Sequence, residues 1–476
     1  MTAATGLPLV QEIRPAPRPE EAFLRLRNQD HVLFLDSARR HPTLGRYSFV
    51  TADPFAYLDV PPDGTDGLQQ LADDLQPFQG EAARNLPPFQ GGAAGLFSYD
   101  LGHSLEQIPA ARFDEFEVPA LAVGLYDVVL AFDHKRNRAW VISQGFPETE
   151  AVARQRRAHQ RCRQFLDWLQ TGDHVTADDH APDPCRCHVT SSTDLLAPQY
   201  PTGQLDGLTS NFTAEGYQQA VQRAIDYIHG GDAFQVNLSQ RVLFPAADNS
   251  VSLYMRLRER NPAPFAGFYD LGDFQIVSAS PERFLQAKEG WIETRPIKGT
   301  RQRTAWPEAD LYAADDLRQS EKDRAENVMI VDLLRNDMSR VCRPDSVRVT
   351  QLCELETYEY VQHLVSAVVG ELAPGRSSLD LVRASFPGGS ITGAPKIRAM
   401  EIIAEIEPTA RGAYCGALGY VGFDGSMDLS ILIRTMTAGR GWWQLPVGGG
   451  VVAQSIPLRE YKETWHKATG LIRALQ

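Results

Sequence analysis

Cysteine is scarce, with six in 476 residues, too few for a disulfide framework in a chain this long. The closest grouping is Cys185-x-Cys187-His188, with His180 just upstream, and it lacks the second ligand pair of a structural zinc site. Positive charge is also in short supply. Lys and Arg number 47 against 60 Asp and Glu, a net charge of −13, which argues against nucleic acid because phosphate binding rests on clustered cations. No segment reaches the about 18 uninterrupted apolar residues of a membrane helix. The first residues, Met1 to Glu21, show no basic start followed by an apolar run, so no secretory signal is expected. These absences point to a soluble, cytoplasmic protein. A small anionic substrate remains compatible with an acidic surface that holds a local cationic pocket. The length suits one large or two medium domains.

Along the chain, residues 1–170 alternate strand-like runs with turns. Residues 32–35 form an apolar run ending at Asp36-Ser37, and 91–99 read as a glycine-rich strand that another backbone approaches closely. Residues 121–132 read as one longer β run, and 148–169 carry helical spacing. Residues 171–210 are rich in Asp, Pro, Thr, Ser and Gly, the composition of a linker or surface loop. The remainder, 211–476, is expected to form a second, catalytic region. It opens with an amphipathic helix over 213–229 that Thr213 caps. Strand signals follow at 274–279, 284–287, 291–294, 416–423, 429–437 and 442–447, several joined by hairpin turns. Helical spacing interleaves at 320–338, 379–385, 397–406 and 458–475. The mixture predicts an α+β fold with large antiparallel sheets covered by helices.

Lys298 stands out chemically, in Arg295-Pro296-Ile297-Lys298-Gly299-Thr300-Arg301. Pro296 fixes its own backbone and Gly299 relaxes the one after the lysine, so the side chain is presented at a turn. Thr300 and Arg301 suit an anion held beside that amine. A lysine whose pKa is lowered by burial or a nearby cation can act as a nucleophile. Two helices carry carboxylates. On 320–338 the stripe Ala325, Val328, Met329, Asp332 and Leu333 predicts the side toward the core, with Glu326 beside it. On the last helix the stripe Tyr461, Trp465, Ala468, Ile472 and Leu475 leaves Glu460 and Glu463 off the core face. Two carboxylates on separate helices, completed by substrate oxygens and water, suit Mg²⁺. The glycine clusters 387–396 (PGGSITGAPK) and 447–451 (VGGGV) expose bare backbone to a ligand, and neither is a Walker loop.

Five segments in a fixed order resemble the chorismate-utilising enzymes: the Lys298 segment, 320–340 (SEKDRAENVMIVDLLRNDMSR), 386–396 (FPGGSITGAPK), 416–435 and 448–463 (GGGVVAQSIPLREYKE). The region before them resembles that family's N-terminal part through Leu35-Asp36-Ser37 and residues 91–100. The resemblance implies two facing antiparallel sheets with helices on the outer faces. It implies that Glu326 and Glu463 bind Mg²⁺, which grips the ring carboxylate of chorismate. His363 resembles a histidine beside the substrate. Arg434 and Tyr414 match positions that hold the enolpyruvyl carboxylate, and a guanidinium fork suits a carboxylate. Thr300, Thr392, Gly393, Gly449 and Gly450 fall at substrate contacts. Glu282, in Ser280-Pro281-Glu282-Arg283, matches a carboxyl suited to proton transfer at the departing hydroxyl.

Within the family, Pro-Ile-Lys-Gly-Thr is typical of members that aminate chorismate at C4, on the way to para-aminobenzoate and folate. Members that make anthranilate typically carry Ala at the Lys298 position and are the alternative. Members that add water usually carry a lysine near the Phe-Gln strand, where Phe234-Gln235-Val236-Asn237-Leu238 has valine at that place. The resemblance therefore implies a covalent Lys298 adduct displaced by ammonia. No Gly-x-Cys-x-Gly signature is present, so ammonia is expected from a separate glutaminase subunit in a heterodimer. Ser37, Pro264 and Phe265 resemble a tryptophan pocket, with Asp36 where that pocket usually has glutamate.

Overall fold

A computed structural model describes residues 7–39, 44–80, 82–171, 196–302, 306–357 and 361–476. Its strands pair antiparallel into sheets of 12, 10 and 3 strands. The two large sheets face each other across an apolar layer. Leu33 and Tyr269 enter it from the 12-stranded sheet, and Leu96, Ala122 and Leu418 from the 10-stranded sheet. Helices Pro19–Leu26, Ala151–Thr171, Ser250–Arg260 and Pro457–Leu475 pack in the core beside the first sheet. Gly67–Leu75, Glu321–Ser339 and Ser378–Ser385 do the same beside the second. This is the α+β sandwich that the resemblance implies.

Strands from both ends of the chain build each large sheet. Leu33–Asp36 pairs with Phe265–Asp270 in one, and Gly92–Phe97 pairs with Ala417–Gly422 in the other. The second pairing needs glycine: a Cβ on Gly92 would lie 2.2 Å from the Val421 carbonyl oxygen. Of the stretch 171–210, residues 172–195, with His180, Cys185, Cys187 and His188, lie outside the described residues. Its later part adds two short strands, Tyr200–Pro201 and Thr209–Ser210, to one edge of the 12-stranded sheet.

Two runs that read as single strands are each broken where the chain passes between the large sheets. Residues 121–132 divide into Leu121–Tyr126 and Val128–Asp133 around Asp127. That buried carboxylate accepts from Arg161 Nε at 3.2 Å. Residues 429–437 divide around Arg434 into Met427–Ile431 and Thr435–Gly439. Likewise Glu282 lies between Phe274–Ser280 in one sheet and Arg283–Lys288 in the other. Strands buried on both faces give continuous apolar runs, so periodicity carries no mark of the crossing.

Helix faces needed correction as well. On Glu321–Ser339 the buried side is Asn327, Ile330, Val331, Leu334, Asp337 and Met338, while Val328 is exposed. Asn327 bonds Ser366 and the Leu364 carbonyl, which draws its own face onto the sheet. On Pro457–Leu475, Glu460 is buried rather than off the core. Its carboxylate accepts from Ser455 Oγ at 2.6 Å and Lys322 Nζ at 3.3 Å. In both cases polar partners, which hydrophobic spacing ignores, set the rotation.

Candidate active site

Lys298 is the second residue of the strand Ile297–Gln302, which pairs with Val361–Glu371 through a bulge between Lys298 and Thr300. Gly299 sits in that bulge at φ +66°, and a Cβ there would meet Leu317 Cδ1 at 2.6 Å, so the turn requires glycine. The part-buried Lys298 Nζ donates to the Ser390 carbonyl at 3.3 Å. Ser390 Oγ in turn donates to Glu282 Oε1 at 2.9 Å. One residue of the glycine-rich loop therefore holds both groups. Burial raises the Glu282 carboxyl to about 7, against the pull of Lys298 and Ser390. Burial also lowers the Lys298 amine below the usual lysine range, opposed by the Glu326 and Glu282 charges. Burial thus favours the uncharged amine, the form that is a nucleophile, beside a carboxyl that can serve as an acid.

The carboxylates come from the two helices. Glu326 is largely buried, and its carboxyl is raised first by burial, with the Lys298 and Lys322 charges acting the other way. Glu463 is half-exposed and bonds Lys467 at 2.8 Å. Burial works to raise it, yet Lys467 holds its carboxyl below the usual range. Among the described residues, no group of three or more His, Cys, Asp or Glu side chains is placed to hold a metal. Mg²⁺ does not require one, since it takes one or two carboxylates and keeps waters and substrate oxygens. The all-carboxylate donor set of Glu326 and Glu463 fits that habit.

The substrate-side residues fall into three groups. Arg434 has a left-handed backbone, φ +54°, and its carbonyl accepts from the Ala279 N–H at 3.1 Å, while its side chain makes no hydrogen bond or ion pair among the described residues. Burial lowers its pKa, with the nearby Tyr414 and Glu463 acting the other way. Tyr414 is buried, which raises its hydroxyl well above the usual value. His363 is held neutral by burial, its pKa lowered to about 4 although a bond with the Gly299 backbone works upward. A cation without a partner next to a neutral ring suits a carboxylate ligand. Gly449 and Gly450 lie on Val447–Val452, paired with Gln235–Gln240. An added Cβ would meet Glu463 Oε1 at 3.5 Å from Gly449 and Gln235 Nε2 at 2.7 Å from Gly450.

The glycine-rich loop is more committed than its sequence indicates. Thr392 is buried, and its hydroxyl donates to the Gly388 carbonyl at 2.9 Å. Gly393 pairs with Val236, and a Cβ there would lie 2.1 Å from the Gln235 carbonyl oxygen. Lys396 donates to Asp337 and the Ser385 carbonyl at 2.7 and 2.6 Å. The Thr300 backbone pairs with His363, and its side chain lies outside the described residues. Sequence reasoning missed the roles of Ser390 and Gln235. The Gln235 side chain is fully buried, with neither amide atom hydrogen-bonded among the described residues, a cost of about 1–3 kcal/mol per group that a ligand can relieve. Its main chain pairs with Val452, and its side chain fills the space that a Cβ on Gly450 would take.

Ser37, Pro264 and Phe265 do come together, in a second cavity of about 870 Å³ that also includes Asp36, Arg46, Arg283, Tyr420 and Asp428. Ser37 Oγ donates to the Tyr47 carbonyl at 2.6 Å. Asp36 accepts from Arg258 at 2.6 Å and Tyr254 at 3.0 Å.

An amine, an acid and an unpaired guanidinium inside such a sandwich belong to an enzyme acting on a small carboxylated substrate. Residues 43–473 match the chorismate binding enzyme family, and the chain belongs to that family. It is 39% identical to aminodeoxychorismate synthase component 1 of Klebsiella aerogenes, over 96% of this chain and 97% of that protein. It is 40% identical to anthranilate synthase component 1 of Thermus thermophilus, over 82% of this chain and 79% of that one. The crystal structure of anthranilate synthase component I from Streptococcus pneumoniae superposes with a TM-score of 0.74 at 32% identity, covering 91% of this chain and 93% of that one.

Proposed function

We propose that this chain acts as component I of an aminodeoxychorismate synthase, converting chorismate and ammonia into 4-amino-4-deoxychorismate and water. The observation that carries this reading is Ser390 holding the Lys298 amine and the Glu282 carboxyl together. Neutral Lys298 attacks C2 of chorismate, the ring double bond shifts, and the C4 hydroxyl leaves as water with the Glu282 proton. The C2 ammonium returns its proton to Glu282. Ammonia then attacks C4, the double bond shifts back, and the bond from C2 to lysine breaks as Glu282 gives its proton to the departing amine; the new C4 ammonium then returns a proton to Glu282. Splitting one hard displacement into two is what covalent catalysis provides. Arg434 and Tyr414 hold the enolpyruvyl carboxylate. Glu326 and Glu463 would hold a Mg²⁺ ion, which would supply positive charge to the ring carboxylate.

Ammonia is supplied by a glutaminase subunit in a heterodimer. We place the complex in the cytoplasm: Cys162, Cys342, Cys353 and Cys415 are free thiols, and no described helix is long and apolar enough to cross a membrane. The second cavity takes tryptophan in this reading. Anthranilate synthase is the rival, favoured by the 40% identity to the Thermus enzyme, and Lys298 opposes it. Mass spectrometry of products from chorismate, Mg²⁺ and ammonium, with and without an added aminodeoxychorismate lyase, decides between them. Para-aminobenzoate formed only with the lyase supports the proposal, and anthranilate formed without it sinks the proposal.

A further inference from the structure

Behind the catalytic pair, outside every role given so far, lies a buried ion pair. Arg411 and Glu407 are 7% and 4% exposed. Arg411 donates to Glu407 from Nε at 2.9 Å and from Nη2 at 2.7 Å. Its remaining bonds go to main-chain carbonyls: Nη1 to Ile391 at 3.0 Å and Nη2 to Asn237 at 2.6 Å. Glu407 accepts the Ser239 N–H at 2.7 Å and its hydroxyl at 3.0 Å. The Tyr99 ring lies under the guanidinium, 4.6 Å from its centre.

Those carbonyls are placed where they matter. Ile391 adjoins Ser390, which holds Lys298 and Glu282, and Asn237 is two residues from the unpaired Gln235 on the strand opposite Gly450. We infer that Arg411 is a positioning residue that fixes the loop carrying Ser390 against the strand carrying Gln235, and so sets where the lysine and the acid stand. An ion pair that merely fastened the helix Lys396–Ile406 to the sheet needs no bonds to carbonyls on these two segments. Only a planar guanidinium serves a carboxylate and two carbonyls in different directions at once, and lysine cannot replace it here.

The chemistry served rests on the function proposed above, so the test reads Lys298 without turnover. Reductive methylation of Lys298 is followed across pH by peptide mass spectrometry, with exposed Lys288 as the reference. The charged groups facing Lys298 are Glu326, Glu282, Glu463 and Lys467, and R411K removes none of them. Released from Arg411, the loop admits water to the amine. The Lys298 labelling midpoint is therefore expected to rise in R411K by about tenfold in proton affinity, with Lys288 labelling used only to normalise reagent. Amination is expected to lose at least about tenfold in kcat with KM little changed. A folded R411K with the wild-type midpoint overturns the inference, because a merely structural pair alters melting without altering Lys298. If R411K does not fold, E407Q, which loosens the anchor of Arg411, takes its place. A smaller rise then supports positioning, and no rise overturns it. Failure of the wild-type protein to aminate chorismate would sink the proposed function and leave the labelling result standing.

Discussion

At the second cavity, Asp36 is bonded by Arg258 and Tyr254, Arg283 by Asp428, and Arg46 by Asp133. Around Lys298 the polar groups are arranged the other way. The Gln235 and Arg434 side chains have no hydrogen-bond partner among the described residues, and burial shifts Glu282, Lys298 and His363 from their usual pKa values. The first arrangement is stable as it stands and offers shape. The second keeps polar groups out of water and leaves the Gln235 amide without a partner among the described residues, which is costly until a polar ligand arrives. Volume alone does not mark the chemistry: the 870 Å³ cavity contains neither Lys298 nor Glu282.

Removing the acid should separate the two regions most sharply. Glu282 is protonated below about 7, so its contribution is lost as pH rises. Lys298 is lowered by burial, so its nucleophilic form is lost as pH falls. A bell-shaped rate profile follows. E282Q is expected to reduce kcat by about 10²–10⁴-fold and to abolish the alkaline limb, and a profile that keeps its alkaline limb would return Glu282 to a structural role. K298A is expected next, with a loss of about 10²-fold because ammonia can still attack directly. Intact-protein mass spectrometry after quenching should find the adduct in wild type and none in K298A. An unchanged rate with no wild-type adduct would remove the covalent step.

Binding variants come lower in size. R434K should raise KM for chorismate by about tenfold to a hundredfold, the range for losing a charge-assisted fork, and steady-state kinetics at saturating ammonium would measure it. Last, S37F narrows the second cavity. It should remove any rise in melting temperature produced by tryptophan and alter amination less than any variant above. A chorismate KM shifted as far as in R434K would mean that the two regions are one site.

Much of this was legible. Thr213 caps its helix, accepting from Gly216 N–H at 2.9 Å, and Gly299 frees the bulge at Lys298. The facing sheets and the residues around Lys298 came from motifs spread along the chain. What stayed hidden has a common cause. Val328 looked like core and is exposed, Glu460 looked exposed and is buried, and Ser390 looked like one more loop residue. Each was decided by a polar partner distant in sequence, and hydrophobic spacing carries no term for such partners.

Backbone sterics and side-chain chemistry act within a few residues, so the sequence by itself determined where the chain turns, which helices are capped, and that an amine is presented at Lys298. Only the tertiary structure decided which groups are left unpaired. Glu282 meets Ser390 from 108 residues away and Arg411 meets Asn237 from 174. Whether a buried polar group finds a partner depends on packing among segments that the local sequence does not encode.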